Sequence, residues 1–347
     1  HWLCQSNPEL TSLITDCIGD GFVKDASALS EFKKFDGDKR VLERLAEIKK
    51  IKKVQLSEYV KKTSGIILNP DSFFDVQAKR MHEYKRQLLY AMYIIDLFEQ
   101  LKRDPDLPMK PKTFIFGAKA APGYYTAKQI IKLICCLAEE INNYPDARVR
   151  EKIKVVYLEN YSVTLAEKLM PATELSEQIS LAGKEARVTG NMKFMINGAL
   201  TVGTMDGANV EMCENVGEDN IYIFGMRSRE VDDLWRQGYD ASFYYHENRR
   251  IREVVDSLRR GYNGVSFDFF AQYLTTNAPI ADPYMCMADF SSYVDIKGRI
   301  DSDYEDKEKW NAMSLRNVAA SGFFAADRAI KEYADRIWNL EQIKIKK

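Results

Sequence analysis

Lys193 stands in a setting that suggests chemistry. It lies between Met192 and the apolar run that begins at Phe194, inside the segment KEARVTGNMKFMINGALTVGTMDGANVEM, residues 184–212. A lysine among apolar neighbours either extends its ammonium group to water or titrates with a lowered pKa. A desolvated lysine is also what a Schiff base with an aldehyde cofactor requires. The residue type alone leaves both interpretations open.

Thr189, Gly190 and Asn191 precede this lysine, just before a predicted helix. Backbone N–H groups and the threonine hydroxyl can surround a phosphate group at such a position. The motif is neither G-x-G-x-x-G nor a Walker loop, so neither of those nucleotide-binding mechanisms is predicted. Lys193 is expected on the first turn of the helix that follows.

A second group of basic residues occurs where a strand should pass into a helix, in FDVQAKRMHEYKRQLLY, residues 74–90. Its members are Lys79, Arg80, His82, Lys85 and Arg86. The helix dipole opposes cations at a helix N-terminus, so a structural role does not account for them. A bound anion would resolve the conflict. The alternative is a basic surface turn that Asp75 and Glu83 neutralise.

Short apolar runs alternate with longer amphipathic ones up to about residue 228. Strands are predicted at Trp2–Gln5, Phe73–Gln77, Thr113–Phe116, Ile153–Leu158 and Ile221–Phe224, and helices at Glu83–Lys102 and Tyr125–Asn142. This alternation predicts βαβ units around a parallel sheet with helices on both faces. Ligands bind at the carboxyl edge of such a sheet, where several of these strands run into glycine or a polar residue.

From about residue 228 onward, only helices are predicted: Glu230–Arg236, Arg249–Arg260, Asp303–Val318 and Ala325–Trp338. No internal repeat or low-complexity linker divides the sequence. We therefore expect one α/β domain over residues 1–347, with a Rossmann-like sheet and a helical C-terminal extension. The chain begins with His1 rather than methionine, which indicates a fragment or a processed piece.

The composition is that of a soluble globular protein, with 347 residues of which 46% are hydrophobic and 29% charged. The formal net charge of −1 provides no general attraction to nucleic acid or to an anionic membrane, so neither is expected as a partner. One local basic run follows two glutamates and is expected to be a solvated helix face. It consists of Lys49, Lys50, Lys52 and Lys53.

Six cysteines occur without a C-x-x-C pair, and no signal peptide is visible. We therefore expect reduced thiols in a cytoplasmic protein, and no metal site. Charged residues interrupt the longest apolar runs well short of the length that a membrane-spanning helix needs.

Five segments resemble the α-glucan phosphorylases, the glycogen, starch and maltodextrin phosphorylases that use pyridoxal 5′-phosphate. They are FDVQAKRMHEYKRQLL, GAKAAPGYYTAKQIIKLI, LAEKLMPATELSEQIS, GNMKFMINGALTVGTMDGANVEM and AASGFFAADRAIKEYADRIW. The resemblance runs from Trp2 to about Trp338. It implies the C-terminal half of such an enzyme, the second domain of a glycosyltransferase B-type fold. The N-terminal domain, with further cofactor and glucose contacts and the regulatory sites of animal members, would be absent.

The resemblance implies a cofactor site at matching positions. Lys193 resembles the lysine that holds pyridoxal phosphate covalently. Lys79, Thr189 and Gly190 correspond to groups around the cofactor phosphate. Tyr161 corresponds to an aromatic contact of the cofactor.

The resemblance also implies a substrate site. Arg80 and Lys85 resemble the cationic pair that binds inorganic phosphate or glucose 1-phosphate, and with Lys193 they are the expected catalytic residues. Glu185 resembles the carboxylate that accepts hydrogen bonds from glucosyl hydroxyls, and His82 is placed in the same neighbourhood. The implied reaction is reversible phosphorolysis of a terminal α-1,4-glucosidic bond with retention, and the full-length protein is expected to be a homodimer.

The sequence departs from the family at Arg187 and Val188, where family members carry serine and glycine. A β-branched valine takes positive φ only with strain, and Arg187 adds a bulky cation to a sugar subsite. We therefore expect impaired catalysis, which the double change Arg187→Ser and Val188→Gly would relieve; a phosphate contact by Arg187 is the alternative. A non-catalytic pseudoenzyme or interaction domain also stays open. An unrelated nucleotide-sugar glycosyltransferase would not explain GNMKF.

Overall fold

A parallel β-sheet forms the centre of the molecule. The computed structural model describes residues 1–185, 189–276 and 280–340. In that part of the chain the strands are β1 Phe73–Ala78, β2 Lys112–Gly117, β3 Ile153–Leu158, β4 Leu175–Gln178, β5 Leu200–Gly203 and β6 Tyr222–Ile223. Their order is β3-β2-β1-β4-β5-β6, and every neighbouring pair is parallel. The predicted Rossmann-like fold is confirmed.

Helices connect and cover these strands. The α-helices are α1 Trp2–Ser6, α2 Pro8–Ile18, α3 Lys39–Ser64, α4 Gln87–Arg103, α5 Tyr125–Asn142, α6 Ala147–Arg150, α7 Val163–Ala172, α8 Thr189–Ile196, α9 Ala208–Val216, α10 Ser228–Gln237, α11 Ala241–Glu247, α12 Arg249–Arg260, α13 Asp268–Thr275, α14 Cys286–Glu305, α15 Lys307–Ala320 and α16 Ala326–Tyr333. Short 3₁₀ segments are Gly21–Val23, Ala26–Phe35, Glu83–Lys85, Glu218–Asn220 and Ser321–Phe324, and a π-helical turn covers Ala334–Trp338. Among the described residues, no helix is long and apolar enough to cross a membrane.

Side chains of successive strand residues point to opposite faces of the sheet, and both faces are covered. Phe73 and Phe114 belong to one apolar cluster, together with residues of α4, α5 and α12 to α14. Phe74 and Ile115 belong to a second cluster, with residues of α3, α7 and α8. The helices after residue 228 therefore contribute to the core of the sheet. The organisation of residues 1–347 into domains stays a prediction.

Two strands, β4 and β5, were not predicted from the sequence. β4 has the sequence LSEQ, and Ser176, Glu177 and Gln178 are all buried. Glu177 finds its partners in tertiary structure, because it accepts hydrogen bonds from Lys297 and Tyr293 of α14, whereas Gln178 donates to Ser176 within the strand. β5 is only four residues long.

Several predicted bounds were wrong. Trp2–Gln5 is helical rather than extended, and Asn7 lies between α1 and α2 and caps α2. Glu83–Lys102 divides at Arg86, which adopts φ 56° between a 3₁₀ turn and α4. Asp303–Val318 divides at Asp306, whose carboxylate accepts from a backbone N–H at the start of α15. A positive φ at Arg86 and a capping carboxylate at Asp306 interrupt these predicted helices, although the amphipathic pattern continues past both.

The basic run of α3 is not a solvated face. Lys52 and Lys53 are only 5% and 4% exposed. Lys53 pairs with Glu174 at 2.9 Å between Nζ and Oε2, and Lys49 donates to three backbone carbonyls. The side chain of Lys50 is 43% exposed and pairs with Asp71. The prediction failed because the acceptors belong to segments remote in sequence.

The strand order places a crevice between β1 and β4. From β1 the chain continues outward to β2 and β3, whereas from β4 it continues in the other direction to β5 and β6. The loops that leave the carboxyl ends of two such strands diverge and leave room for a ligand. At this edge, β1 leads into the basic residues that begin at Lys79, and β4 leads towards Glu185.

Candidate functional site

Lys79 and Lys85 converge on one carboxylate at this edge of the sheet. Lys85 Nζ lies 2.7 Å from Glu185 Oε2 and 3.0 Å from Oε1, and Lys79 Nζ lies 3.5 Å from Oε2. All three side chains are buried or nearly so. Two ammonium groups share this one carboxylate, and an anionic ligand could bind them in its place.

The environment lowers the pKa of Lys79 to about 8. The main cause is burial, which disfavours the ammonium form, and the positive charge of Lys85 acts in the same direction. The negative charge of Glu185 opposes both. Lys79 is therefore a cation whose charge responds to its neighbours close to neutral pH.

The position of Glu185 is set by the turn that follows β5. The backbone N–H groups of Lys184 and Glu185 donate to Asp206 Oδ2 at 3.3 and 2.9 Å. Gly207 has φ 52°, and a Cβ atom there would lie 2.7 Å from the carbonyl oxygen of Glu185. Tyr84 donates its hydroxyl to Glu185 Oε1 at 3.1 Å. Glycine is thus required at 207 on both conformational and steric grounds.

Arg80 and His82 lie beside this group without joining it. Arg80 is exposed and forms no ion pair with any described residue. The ring of His82 lies between those of Tyr84 and Tyr124, at centroid distances of 4.5 and 5.1 Å. His82 Nδ1 is buried and has no hydrogen-bond partner in the described part of the chain.

Arg86 does not belong to the candidate site. It is fully buried, and its guanidinium donates to Asp289 Oδ2 and to the carbonyl of Ile179, both at 2.7 Å. The two acidic residues offered as neutralising partners act elsewhere. Asp75 pairs with Lys297 of α14, and Glu83 accepts from two tyrosine hydroxyls. The interpretation as a neutralised surface turn was therefore wrong.

Lys193 lies on the second turn of α8, because the helix already includes Thr189 and Gly190. Its Nζ atom is 4.0 Å from the centroid of the Trp2 ring. A cation over an indole face is held by the ring quadrupole. The side chain is half-buried, so the ammonium is oriented by an aromatic partner rather than directed freely into water.

Tyr161 lies on the same side of the sheet, against the carboxyl ends of β1 and β2. A Cβ atom at Gly117 would approach its ring to 3.1 Å. Trp2 and Tyr161 both pack against the apolar cluster that contains Ala78, which precedes Lys79, and Phe194, which follows Lys193. Burial raises the pKa of Tyr161 to about 12, so its phenol is protonated at neutral pH.

These residues fit an aromatic aldehyde cofactor that bears a phosphate. The amine of Lys193 is bordered by the Trp2 ring, and Trp2 Nε1 is buried without a hydrogen-bond partner among the described residues. Thr189 is exposed at the described start of α8, and Gly190 is half-buried beside it. Three predicted cofactor residues are thus placed on one helix, with Tyr161 in an adjoining cluster.

Four residues that shape the site were not predicted from the sequence: Trp2, Tyr84, Asp206 and Gly207. The Asp-Gly pair at 206 and 207 is typical of a turn and could have indicated these two residues. Trp2 was not considered because it had been assigned to a predicted strand. Arg187 and Val188, the two departures from the family pattern, lie outside the described residues. In the described ranges, no group of three or more His, Cys, Asp or Glu side chains is arranged to hold a metal ion.

Comparison with known proteins agrees with this geometry. A family model described as carbohydrate phosphorylase matches residues 1–340. The glycogen phosphorylase of Bacillus subtilis (strain 168) is 47% identical over 342 residues, which cover 98% of this chain and 43% of the relative. The liver forms of glycogen phosphorylase from Bos taurus and Homo sapiens are each 46% identical over 346 residues, covering 100% of this chain and 40% and 41% of those proteins. The chain thus spans about two fifths of the length of these relatives, and it belongs to the carbohydrate phosphorylase family.

Proposed function

We propose that this chain is the cofactor-bearing part of an α-glucan phosphorylase. It would catalyse reversible phosphorolysis of terminal α-1,4-glucosidic bonds of a storage glucan to glucose 1-phosphate, together with the N-terminal part that its relatives possess. The observation that carries the proposal is the convergence of Lys79 and Lys85 on Glu185 at the crevice between β1 and β4. Family membership supports it.

The two lysines are suited to bind the substrate phosphate. A phosphate group that enters the crevice would replace the Glu185 carboxylate as the partner of Lys79 and Lys85. Arg80, exposed beside them, would add a third cation. This concentration of positive charge would stabilise the phosphate beneath an oxocarbenium-like glucosyl group in the transition state.

Glu185 would take a second role once the lysines bind phosphate. Its carboxylate would accept hydrogen bonds from glucosyl hydroxyls, while Asp206 and Gly207 keep the backbone of the loop in place. His82 lies next to Tyr84, which contacts Glu185, so its ring borders the same space. The glucosyl group would thus be held by one carboxylate and oriented by an aromatic wall.

Lys193 would hold pyridoxal 5′-phosphate, Trp2 and Tyr161 would provide aromatic contacts, and Thr189, Gly190 and Lys79 would bind its phosphate. When bound, this group supplies a phosphate monoester whose second pKa near 6 suits proton exchange at neutral pH. The cofactor phosphate and the substrate phosphate would repel each other. The positive charges of Lys79 and Lys85 would offset this repulsion and so allow the substrate phosphate to bind.

The setting that we propose is the cytoplasm, with a glucan, inorganic phosphate and glucose 1-phosphate as ligands. All six cysteines lie in the described part of the chain and are free thiols, as expected in a reducing compartment. In the complete protein we propose a homodimer, in line with the resemblance to α-glucan phosphorylases.

Cofactor capture tests the proposal. The purified chain is incubated with pyridoxal 5′-phosphate, reduced with borohydride and digested, and the modified lysine is located by mass spectrometry. We expect one dominant adduct, on Lys193. Lys168 provides a matched control, because its ammonium also lies over an aromatic ring, 5.2 Å from the centroid of Tyr59. Lys193→Met should abolish the dominant adduct and Lys168→Met should leave it intact.

Activity is tested in a fusion in which this chain replaces the matching region of the Bacillus subtilis relative. Production of glucose 1-phosphate from glycogen and phosphate would support the enzyme. An adduct on Lys193 without phosphorolysis would favour the non-catalytic alternative, and recovery through Arg187→Ser and Val188→Gly would locate the defect in that loop. Diffuse labelling across many lysines would contradict the cofactor site itself.

A further inference from the structure

Lys49 connects the ends of two helices. Its Nζ atom donates to the carbonyl oxygens of Pro171 and Thr173, at 2.8 and 2.6 Å, where α7 ends. It also donates to the carbonyl oxygen of Asn197 at 3.1 Å, just beyond α8. An ammonium has three N–H donors, and all three are used. No carboxylate of the described residues forms an ion pair with it.

These acceptors are groups that a helix leaves unsatisfied. The last carbonyls of an α-helix lack intrahelical partners, and the helix dipole places partial negative charge there. Lys49 therefore provides a single cation for two helix C-termini. The nearby charges are Glu174, which favours the protonated amine, and Lys53, which disfavours it.

Asn197 transmits this contact to Lys193. Its side-chain amide donates to the carbonyl oxygen of Lys193 at 2.8 Å, and its own oxygen accepts from Asn7 at 3.1 Å. Both asparagines are 1% exposed. The backbone of Lys193 is thus bonded to a residue whose carbonyl is held by Lys49.

Gly198, the residue after Asn197, is held by a separate contact. Gly198 has φ 76°, and its carbonyl oxygen accepts from the hydroxyl of Ser314 in α15 at 2.6 Å. A Cβ atom at Gly198 would lie 2.5 Å from the same hydroxyl oxygen. The end of α8 is therefore fixed by α3 through Lys49, by Asn7 and by α15. These contacts form a clamp on α8, and they leave the helix little freedom to slide or rotate.

We infer that Lys49 is a positioning residue for Lys193. It fixes the axial position and rotation of α8, and with them the direction in which the Lys193 amine leaves the helix. Trp2 then contacts that amine from α1, which packs against both α7 and α8. The functional part of this inference rests on the proposed cofactor site, whereas the clamp on α8 does not.

Hydrogen exchange of the full chain tests the clamp. Lys49→Met keeps side-chain length but removes the donors, and Lys50→Met alters a neighbouring, more accessible lysine of the same helix. Burial lowers the pKa of Lys49 to about 7, so the measurement is made at about pH 6. We expect exchange in residues 189–198 to rise about tenfold in Lys49→Met, with α5 unchanged and Lys50→Met equal to the parent chain.

A uniform rise over α5 and α8 would show general destabilisation and overturn the inference, as would unchanged exchange in α8. If Lys49→Met does not fold, Asn197→Ala is measured instead. It removes the amide link to Lys193 and the acceptor for Asn7, but leaves the backbone carbonyls to which Lys49 donates. We expect increased exchange confined to α8, and unchanged exchange there would contradict the clamp.

Cofactor capture gives a separate result. We expect the fraction of Lys193 labelled by pyridoxal 5′-phosphate to fall several-fold in Lys49→Met and to recover in part in Lys49→Arg, which restores a cationic donor. Equal labelling in all variants would refute the positioning role. If the parent chain itself is not labelled at Lys193, the proposed cofactor site fails, while the exchange measurement still decides whether Lys49 holds α8.

Discussion

The ammonium of Lys193 lies 4.0 Å from the ring centroid of Trp2. These residues come from α8 and from the first helix of the described chain, which are far apart in sequence. The contact explains how a half-buried lysine in an apolar helix is kept in one orientation: the indole face attracts the cation, and α1 is held against α7 and α8. Trp2 is therefore part of the candidate site.

Trp2→Leu is expected to reduce labelling of Lys193 by pyridoxal 5′-phosphate. Loss of a cation–π contact worth about 0.5–2 kcal/mol frees the amine to adopt other rotamers. Trp2→Phe keeps a weaker aromatic face and should give an intermediate yield. Trp338→Leu, at an exposed tryptophan near the end of the described chain, is the control and should not change the yield. Equal yields for Trp2→Leu and the parent chain would contradict the role of the ring.

Lys79 is expected to titrate near pH 8 in the folded chain, and Glu185→Gln should lower its pKa further. Removal of the Glu185 carboxylate takes away the larger of two negative charges, the other being Asp206, that oppose burial and the charge of Lys85. Burial and Lys85 both disfavour the ammonium form. Lys85→Met should shift the pKa in the opposite direction. The pH dependence of amine acetylation at Lys79, followed by mass spectrometry, measures each value. A single pKa of ordinary lysine value in all three proteins would contradict the arrangement.

The same shift predicts a change of stability with pH. The pKa of Lys79 is lower in the folded state than the usual 10.5, so between about pH 8 and 10.5 the unfolded chain binds more protons. This group therefore adds stability as pH rises through that window. Lys79→Met should flatten that part of the stability curve, measured by denaturant unfolding. A curve that keeps its slope would assign the effect to other groups.

The sequence predicted the elements in which local pattern and burial agree. β3 and α5 have the predicted bounds, β1 is one residue longer than predicted at one end, and β2 is one residue longer at each end. In each of these elements the spacing of the apolar residues is typical of either a strand or a helix, but not of both. Polar residues or glycine on either side mark the ends. The alternation of such elements was enough to predict a parallel sheet.

The remaining errors concern residues whose environment is tertiary. β4 was missed because Glu177 and its neighbours are polar in sequence, and the partners of Glu177 come from α14. Lys49 was assigned to solvent because the carbonyls that bind it belong to segments far along the chain. Lys79 and Lys85 were grouped by their spacing in the sequence, whereas Glu185, about a hundred residues further on, was added only through family resemblance.

Glu177 is expected to make the fold less stable at alkaline pH. Burial raises its pKa to about 8, the nearby charge of Asp75 adds to this, and Lys297 opposes it. The folded chain therefore binds more protons than the unfolded chain between the usual carboxyl range and pH 8, and stability declines as pH rises through that interval. Glu177→Gln mimics the protonated acid and should remove the decline. Unfolding midpoints in urea at several pH values measure it; a decline that persists unchanged in Glu177→Gln would assign it to other groups.

Arg86 and Asp289 form a buried pair, 2.7 Å between Nη1 and Oδ2, with both side chains at most 1% exposed. Arg86 also donates to the carbonyl of Ile179, so the pair connects the basic loop after β1 to the loop after β4 and to α14. Arg86→Met should destabilise the fold by about 3–5 kcal/mol, because it leaves Asp289 buried without its cation. Arg103→Met, which breaks an accessible pair with Glu253, should cost at most about 1 kcal/mol.

The double change Arg86→Met and Asp289→Asn separates loss of the pair from the cost of a buried, unpaired charge. In Asp289→Asn the neutral amide oxygen can still accept from the backbone N–H of Met226, as the Asp289 carboxylate does at 2.9 Å. We expect the double variant to be more stable than Arg86→Met alone, because the isolated carboxylate is gone. Unfolding midpoints of the parent, the two single variants and the double variant provide the comparison. If Arg86→Met costs no more than Arg103→Met, the pair does not hold the two loops, and Lys85 and Glu185 must be aligned by Asp206 and Gly207 instead.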